Sequence, residues 1–229
     1  MPVRKKAPED LTAKKALALE VIRRLKAEYP DAGCTLDYDH AWQLLVSVRL
    51  AAQCTDARVN IVVEELFAKY PSVAALAAAE PEDIEAIVKP CGLGHSKARD
   101  ISACMRMLRD KYACRVPDTF DELLALPGVG RKSANLIMGD VFGKPAIVTD
   151  THCIRLCNKI GLVDGIKEPQ KVEMALWKII PPEEGSDLCH RFVMHGRAVC
   201  NARKPECEKC CLKDICRTVR EAAGQQAEP

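Results

Sequence analysis

Helical periodicity recurs along almost the whole chain and constrains the fold more than any other feature. Apolar residues return every three or four positions in segment after segment, as in Leu17, Val21 and Leu25, and no segment alternates as a strand would. Short joints rich in Pro and Gly separate these segments, as is typical of helix–helix connections. The 229 residues are enough for one large core or two small ones. The sequence therefore predicts an all-α fold.

Several helices can be located from their caps and apolar faces. The span from Trp42 to Ala52 is apolar almost all round, which predicts a buried central helix. Residues that precede apolar stretches and predict helix starts are Thr55, Ser72 and Ser96. The tail from Glu221 to Pro229 is expected to be disordered. A mobile basic arm is expected at Arg4, Lys5 and Lys6.

Net charge and composition decide little about the partner. Lys and Arg number 34 against 32 Asp and Glu, so the formal charge is only +2 and does not by itself indicate a nucleic-acid binder. Aromatic residues make up 4%, which argues against a stacking platform for single strands. No apolar run reaches the length that spans a bilayer, and the first residues lack the apolar stretch of a secretion signal. We therefore expect a cytoplasmic protein without membrane association.

Five of the 13 cysteines lie within 17 residues near the C-terminus, and four of them have a spacing typical of metal sites. These cluster cysteines are Cys200, Cys207, Cys210 and Cys216. Their spacing, C-x6-C-x2-C-x5-C, predicts a metal or iron–sulfur centre, without deciding between zinc and a [4Fe-4S] cluster. Cys211 could replace Cys210 in the ligand set. The remaining cysteines are interpreted as core thiols. For Cys153 and Cys157, one helical turn apart and next to His152, core packing is favoured over a second metal site.

A glycine-rich turn joins two predicted helices near the middle of the chain. Its sequence is Leu126-Pro127-Gly128-Val129-Gly130, with glycines where a tight turn needs a positive φ or a bare backbone. The next helix would present unpaired amides and the positive end of its dipole, which suit a DNA phosphate. The Gly-x4-Gly-Lys-Ser/Thr motif of nucleotide-binding loops is absent. An ordinary turn between helices is the alternative.

Two residues that could carry chemistry follow this turn. Lys132 falls in the first turn of the next helix, where the helix dipole disfavours a second positive charge and so favours a neutral, nucleophilic amine. Such an amine can form a Schiff base, although a lone lysine here is more often a phosphate contact. Asp150 follows the apolar run Ala146-Ile147-Val148 at the start of another helix, where an N-cap is the simplest role. Together, a nucleophile and a carboxylate favour an enzyme over a binding module.

Three motifs in combination point to a family. Residues 126–135, the segment Val148-Thr149-Asp150-Thr151-His152 and the four-cysteine spacing strongly resemble endonuclease III, in the helix-hairpin-helix, Gly-Pro-Asp superfamily of DNA glycosylases. The likeness extends from about Ala16 to Cys216. It implies a six-helix domain over 34–144 that contains the hairpin, and a discontinuous domain of 1–33 plus 145–229 that carries a [4Fe-4S] cluster in a C-terminal loop.

The resemblance also implies roles for individual residues. Lys132 would be the nucleophile, and Asp150 the carboxylate that activates it and stabilises positive charge on the sugar. The four cluster cysteines would be the metal ligands, with Cys211 a bystander. Residues implied to contact DNA are Gln53, Leu93, His95, Gly128, Val129, Gly130, Arg203 and Lys204. Of these, Gln53 and Leu93 match the family's residues that fill the gap left by a flipped nucleotide.

The implied activity is that of a bifunctional DNA glycosylase and abasic-site lyase. It would act as a monomer, associated with the nucleoid, on double-stranded DNA that contains oxidised pyrimidines or abasic sites. It would cleave the strand 3′ to the lesion by β-elimination. Positions that differ from the family's usual residues are Arg49, Ala51, Gly94 and Glu206. Related adenine-specific mismatch glycosylases carry a carboxylate where this chain has Arg49, so that subfamily is disfavoured.

Two rival interpretations of the same motifs remain. A non-enzymatic DNA-binding module could use the hairpin to hold phosphate and the cysteine loop as a structural staple. An electron carrier or a zinc protein could use the cluster cysteines alone.

Overall fold

The structure, a computed structural model, describes residues 11–225. Within that range the chain forms twelve α-helices and no β-strand, so the predicted all-α fold class is confirmed. The helices are α1 (Leu11–Glu28), α2 (Ala41–Leu50), α3 (Asp56–Lys69), α4 (Val73–Ala78), α5 (Pro81–Val88), α6 (Gly94–Lys111), α7 (Phe120–Ala125), α8 (Arg131–Asp140), α9 (Thr151–Ile160), α10 (Pro169–Leu176), α11 (Gly185–Ala198) and α12 (Arg217–Gln225). None of these helices combines the length and apolar character needed to cross a membrane.

The described residues form two compact units. One comprises residues 34–144 and contains α2 to α8, seven helices where the resemblance implies six, because α4 and α7 are short helices of six residues each. The other joins the described residues up to 33 with those from 145 onward, and contains α1 and α9 to α12. Each unit buries its own set of apolar side chains.

The 34–144 unit is organised around α2 and α6. Seven of the ten residues of α2 are buried, and α6 packs against α4 and α5. The buried stripe of α6 repeats at helical spacing and includes Ile101, Met105 and Leu108. Full burial of such a side chain contributes about 1.5–3 kcal/mol. The predicted central helix is confirmed, although it ends at Leu50 instead of Ala52 because residues 51–53 form a turn.

Two of the three predicted helix starts are confirmed. The hydroxyls of Thr55 and Ser72 each accept a hydrogen bond from the amide three residues on, at 3.3 and 3.1 Å. The prediction at Ser96 is wrong, because α6 begins two residues earlier. Gly92 and Leu93, with φ of 72° and 52°, turn the chain into that helix, and Leu93 is its N-cap. An apolar left-handed N-cap carries no sequence signal of the kind that Ser or Thr provides.

In the second unit, α11 packs against α1 and α9. The shared interior includes Val21, Leu156, Leu188 and Phe192. Each of these side chains is buried, as the periodicity of its helix predicts.

The C-terminal residues differ from the prediction. The expected disorder from Glu221 is wrong for residues 221–225, which belong to α12. The first residue of this helix, Arg217, donates hydrogen bonds to the carbonyls of Asn158 and Val163, and these contacts fix where the helix begins. Residues 226–229 and the basic residues at 4–6 lie outside the described residues.

A close contact at the start of α11 supports residues 146–149, which belong to no helix or strand and lead to Asp150. Ala146 and Ile147 are fully buried. A Cβ atom on Gly185 would lie 2.5 Å from the carbonyl oxygen of Ala146, closer than real Cβ atoms approach. Only glycine therefore allows α11 to lie this close to the segment that carries Asp150.

Gly185→Ala is expected to lower the free energy of unfolding by about 1–3 kcal/mol, because α11 must move away from the Ala146 carbonyl. Thermal unfolding followed by far-ultraviolet circular dichroism measures this loss. Gly33→Ala is the matched control, since an added Cβ there would meet no atom within 4 Å. Equal unfolding temperatures for the two variants would contradict the contact.

Candidate functional site

The glycine-rich hairpin between α7 and α8 contains one position that only glycine can occupy. Gly128 has a φ of 75°, and a Cβ atom on it would lie 2.8 Å from Cβ of Asp100 and 3.1 Å from Cδ of Arg49. Gly130, the N-cap of α8, has a φ of −97° and open space around its Cα. Gly128 thus lets the hairpin lie on the protein, whereas Gly130 leaves the helix entrance bare.

An ion pair lies beneath the hairpin. Nε of Arg49 donates to Oδ2 of Asp100 at 2.7 Å, and the guanidinium also donates to the hydroxyl of Ser96 at 3.2 Å. Both partners belong to α6, whereas Arg49 is on α2. Arg49, one of the residues that differ from the family's usual ones, thus joins α2 to α6 below Gly128.

Lys132 lies in the first turn of α8, directly after the hairpin. Its side chain is exposed, while Ala134, Asn135 and Ile137 on the same helix are buried. Within residues 11–225, its ammonium group forms no hydrogen bond or ion pair. The preceding residue, Arg131, stacks on the ring of Phe120 at 4.9 Å, which fixes the start of the helix. The amine of Lys132 is thus accessible beside the unpaired amides of a helix N-terminus.

Asp150 is the N-cap of α9. Its Oδ1 accepts a hydrogen bond from the amide of Cys153 at 2.7 Å, so the simple structural role expected from the sequence is present. Residues 146–149 before it are buried, whereas Asp150 itself is only half-buried. The cap uses one carboxylate oxygen and leaves Oδ2 available for another partner.

Two residues of the 34–144 unit share an uncommon backbone conformation. Gln53, in the loop between α2 and α3, has a φ of 58°, and Leu93, at the entrance to α6, has a φ of 52°. Both side chains are exposed, Leu93 to 57%. Non-glycine residues seldom adopt positive φ, and such strain is concentrated at functional sites. His95 is next in the first turn of α6, exposed and paired with Glu85 at 2.9 Å.

Sequence reasoning did not identify Lys97, which lies between these loops. Its side chain is fully buried, and Nζ donates to the carbonyls of Leu50 and Cys91, at 2.8 Å each. Desolvation lowers the pKa of Lys97 below its ordinary value. A signal was available, because Lys97 stands four residues before Ile101, at the head of the apolar stripe of α6.

The four cluster cysteines line a common cavity of about 60 Å³, and Cys211 is not part of its wall. The remaining wall is largely apolar, formed by residues that include Val199, Pro205 and Val219. No group of three or more His, Cys, Asp or Glu within residues 11–225 is arranged to hold a single metal ion. Sulfur donors around one cavity match the ligand type of an iron–sulfur cluster.

Neighbouring residues fix this loop from several sides. Arg155 donates to the carbonyls of Cys200 and Gly196, at 2.7 and 3.2 Å. Nε2 of His195 lies 3.3 Å from Sγ of Cys210. Burial raises the pKa of Cys210 to about 11, so this thiol is protonated at neutral pH and must lose its proton to bind metal.

The positive charge of the cysteine loop is concentrated at its tip. Lys209 pairs with Glu206 and Lys213 with Glu208, both at 2.5 Å. These pairs neutralise part of the loop, and the exposed Arg203 and Lys204 carry its remaining positive charge. The amide of Lys204 donates to Oδ1 of Asn201 at 2.7 Å, which shapes the tip.

The two cysteines of α9 that could belong to a second metal site lie in the interior. Sγ of Cys153 and Sγ of Cys157 lie 3.9 Å apart, and both residues are fully buried. The hydrogen bond with Cys157, together with burial, raises the pKa of Cys153 well above its ordinary value. These two cysteines pack in the interior, in agreement with the core interpretation.

Comparison with known proteins adds independent findings. Residues 46–182 match the model of the HhH-GPD superfamily base excision DNA repair proteins. Endonuclease III of Synechocystis sp. is 42% identical over 207 residues, which cover 90% of this chain and 94% of the relative. A solved structure of a non-covalent endonuclease III–DNA complex matches with a TM-score of 0.86 and 40% identity, over 92% of this chain and 98% of that one. A trapped endonuclease III–DNA covalent intermediate matches with the same TM-score and identity, over 91% and 98%.

The cap at Asp150 allows its structural and chemical contributions to be separated. Asp150→Ala is expected to lower the free energy of unfolding by about 1 kcal/mol, because the amide of Cys153 loses its acceptor. Asp150→Asn keeps an oxygen acceptor and is expected to remain within a few tenths of a kcal/mol of the parent, on the order of the Asp–Asn difference at N-caps. Urea unfolding of both variants tests this; equal losses would refute the cap as the source of stability.

Proposed function

Because the chain belongs to the endonuclease III family of base excision DNA repair glycosylases, we propose that Lys132 is the nucleophile with which it removes oxidised pyrimidines from duplex DNA. The family assigns the chain DNA glycosylase and abasic-site lyase activity. The observation that carries the proposal is the exposed, unpaired amine of Lys132 at the entrance to α8. A similar protein has been trapped as a covalent intermediate with DNA, which requires a nucleophile of this kind.

The reaction begins when the damaged nucleotide is flipped out of the stack, since its C1′ atom is inaccessible within the duplex. The neutral amine of Lys132 attacks C1′, and the C1′–base bond breaks with its electron pair going to the base, which gains a proton. The sugar ring then opens to give a Schiff base between Lys132 and C1′. This iminium makes the C2′ proton acidic. Removal of that proton expels the phosphate from C3′, and water releases the amine.

We assign to Asp150 the role of stabilising the positive charge that develops during these steps. A carboxylate can accept the proton that the ammonium of Lys132 must lose, and can stabilise positive charge on the opening sugar. The available Oδ2 of Asp150 supports this role, because Oδ1 is engaged by the amide of Cys153. The same residue would thus hold the start of α9 and take part in the chemistry.

DNA binding in the 34–144 unit is assigned to the hairpin and two loops. The bare surface of Gly130 and the amides that come after it suit a phosphate, which the dipole of α8 would also attract. Gln53 and Leu93 supply a polar amide and an apolar wedge for the gap left by the flipped nucleotide. Their exposure and positive φ support this assignment.

We further propose that the four cluster cysteines hold a [4Fe-4S] cluster. Four sulfurs around one cavity, with apolar side chains completing its wall, fit such a group. When bound, the cluster would link the four cysteines of the loop covalently. That tie would hold Arg203 and Lys204, at the loop tip, in a fixed position for phosphate contacts. The two compact units would then be the hairpin-containing domain and the cluster domain of the family.

The proposal predicts covalent capture through Lys132. Borohydride reduction is expected to trap the protein on duplex DNA that contains an abasic site or thymine glycol. Lys132→Gln is expected to lower the trapping rate by at least about 100-fold, since no other amine replaces the nucleophile. Gel separation of the protein–DNA adduct measures the yield. Asp150→Asn should slow trapping by at least about 10-fold while retaining the stability of the parent.

The matched control is Lys69→Gln, an exposed lysine on α3 of the same unit, which should trap like the parent. Equal trapping by Lys132→Gln would refute the assignment of the nucleophile. A parent protein that binds abasic duplex without being trapped would support the non-enzymatic DNA-binding module instead.

The cluster proposal predicts that Cys207→Ser lowers the iron and acid-labile sulfide of the purified protein and its broad visible absorption, because one ligand of the cluster is lost. Cys211→Ser is the matched control, since this neighbouring cysteine is not part of the cavity wall. It should retain the iron and sulfide content of the parent. Stoichiometric zinc without sulfide in the protein isolated from cells would overturn the iron–sulfur assignment.

A further inference from the structure

The buried ammonium group of Lys97 joins two segments that are far apart in sequence. Leu50 ends α2 and Cys91 ends the short 3-10 helix of residues 89–91, and Nζ donates to both carbonyls at 2.8 Å. Carbonyls at helix ends lack intrahelical partners and lie at the negative end of the dipole. A cation with two such acceptors is a strong, charge-assisted tie.

Each of these carbonyls lies just before one of the strained, exposed residues. Leu50 precedes Gln53 by three positions, and Cys91 precedes Leu93 by two. The backbone amide of Lys97 also donates to the carbonyl of Leu93, at 3.0 Å. Lys97 therefore touches the base of the Gln53 loop and both sides of the Leu93 turn.

Positive φ at non-glycine residues persists only where the surroundings hold it in place. Both Gln53 and Leu93 have side chains exposed to solvent, so contacts of those side chains with the protein do not supply that restraint. The hydrogen bonds of Lys97 restrain the backbone on which both residues stand. Loss of the ammonium would leave two buried carbonyls unpaired and free the two loops to move independently.

We propose that Lys97 is a positioning residue that holds the Gln53 and Leu93 loops at a fixed separation, so that both side chains can enter the gap left by a flipped nucleotide. The inference rests on the proposed function, because it concerns how that function discriminates and opens damaged duplex. It assigns Lys97 no contact with DNA. Loss of Lys97 would therefore impair the reaction on duplex DNA, where the gap must be filled, and not on single-stranded DNA.

Lys97→Met removes the charge and both side-chain hydrogen bonds while nearly keeping the length of the side chain. For duplex DNA with one thymine glycol, kcat/KM is expected to fall by about 10–100-fold, as a misplaced positioning group can cause. Borohydride trapping on a single-stranded oligonucleotide with an abasic site, which has no gap to fill, should change by less than about twofold. Lys97→Gln, which keeps an uncharged N–H donor group on a shorter side chain, should give an intermediate loss on the duplex and serves if Lys97→Met does not fold.

The control for general destabilisation is Leu108→Ala, at the far end of the same buried stripe of α6. It should affect both substrates alike when compared at a temperature where both variants are folded. A triple variant tests whether Lys97 acts through the loops. Adding Lys97→Met to the double variant Gln53→Ala/Leu93→Ala should lower kcat/KM on duplex DNA little further, because the positioned side chains are already gone.

Amide hydrogen exchange provides a readout that does not depend on activity. In Lys97→Met, residues 51–55 and 91–94 are expected to exchange at least about tenfold faster than in the parent, with α3 and α8 unchanged. Equal losses on duplex and single-stranded substrates, multiplicative losses in the triple variant, or unchanged exchange in the two loops would each overturn the inference. If the parent itself neither cleaves nor is trapped, the proposed function fails, and hydrogen exchange still decides whether Lys97 holds the loops.

Discussion

Helix ends are the physical constraint on which the candidate sites depend. An α-helix leaves its first amides and last carbonyls unpaired, and in an all-α protein these groups are the main polar features of the backbone. The protein treats them in different ways. Asp150 satisfies an amide at the start of α9, Arg155 satisfies the carbonyl of Gly196 near the end of α11, and Lys97 satisfies the last carbonyl of α2. The entrance to α8 behind Gly130 is left bare.

Helix ends whose backbone groups are paired can support neighbouring residues, whereas a helix end with unpaired groups can bind a ligand. A satisfied end is rigid and can orient the residues after it, as Arg155 does for the first cluster cysteine. An open end retains its partial charge and can bind an anion. The hairpin makes α8 open in this sense, because Gly128 lies against Asp100 and Arg49 while Gly130 faces free space. The accessible amine of Lys132 would then lie beside a bound phosphate, close to the sugar that it is proposed to attack.

Features that depend on local sequence were predictable, whereas contacts between distant segments were not. The Thr55 cap was found because its hydrogen bond reaches only three residues along the chain, but the start of α6 was missed because a left-handed Leu93 replaces the usual polar cap. Cysteine spacing identified a cluster and left Cys211 as an alternative ligand, since the fold of the whole loop decides which thiol faces a cavity. A lysine on an apolar stripe indicates that a partner exists, because an unpaired buried charge is very unfavourable. The pattern does not indicate that the partner of Lys97 is the carbonyl of Leu50, 47 positions away.

The first two turns of α6 connect these observations. Leu93 caps the helix, Ser96 and Asp100 hold Arg49, and Lys97 holds the ends of two other segments. The hairpin lies on this same region through its first glycine. The proposed phosphate-binding hairpin and both proposed gap-filling loops therefore share one support. Arg49 stands at a position of α2 that is usually apolar in the family. It is compatible with the fold because the carboxylate of Asp100 on α6 pairs with it. Because the support is shared, a shift at the start of α6 would displace the hairpin and the two loops together.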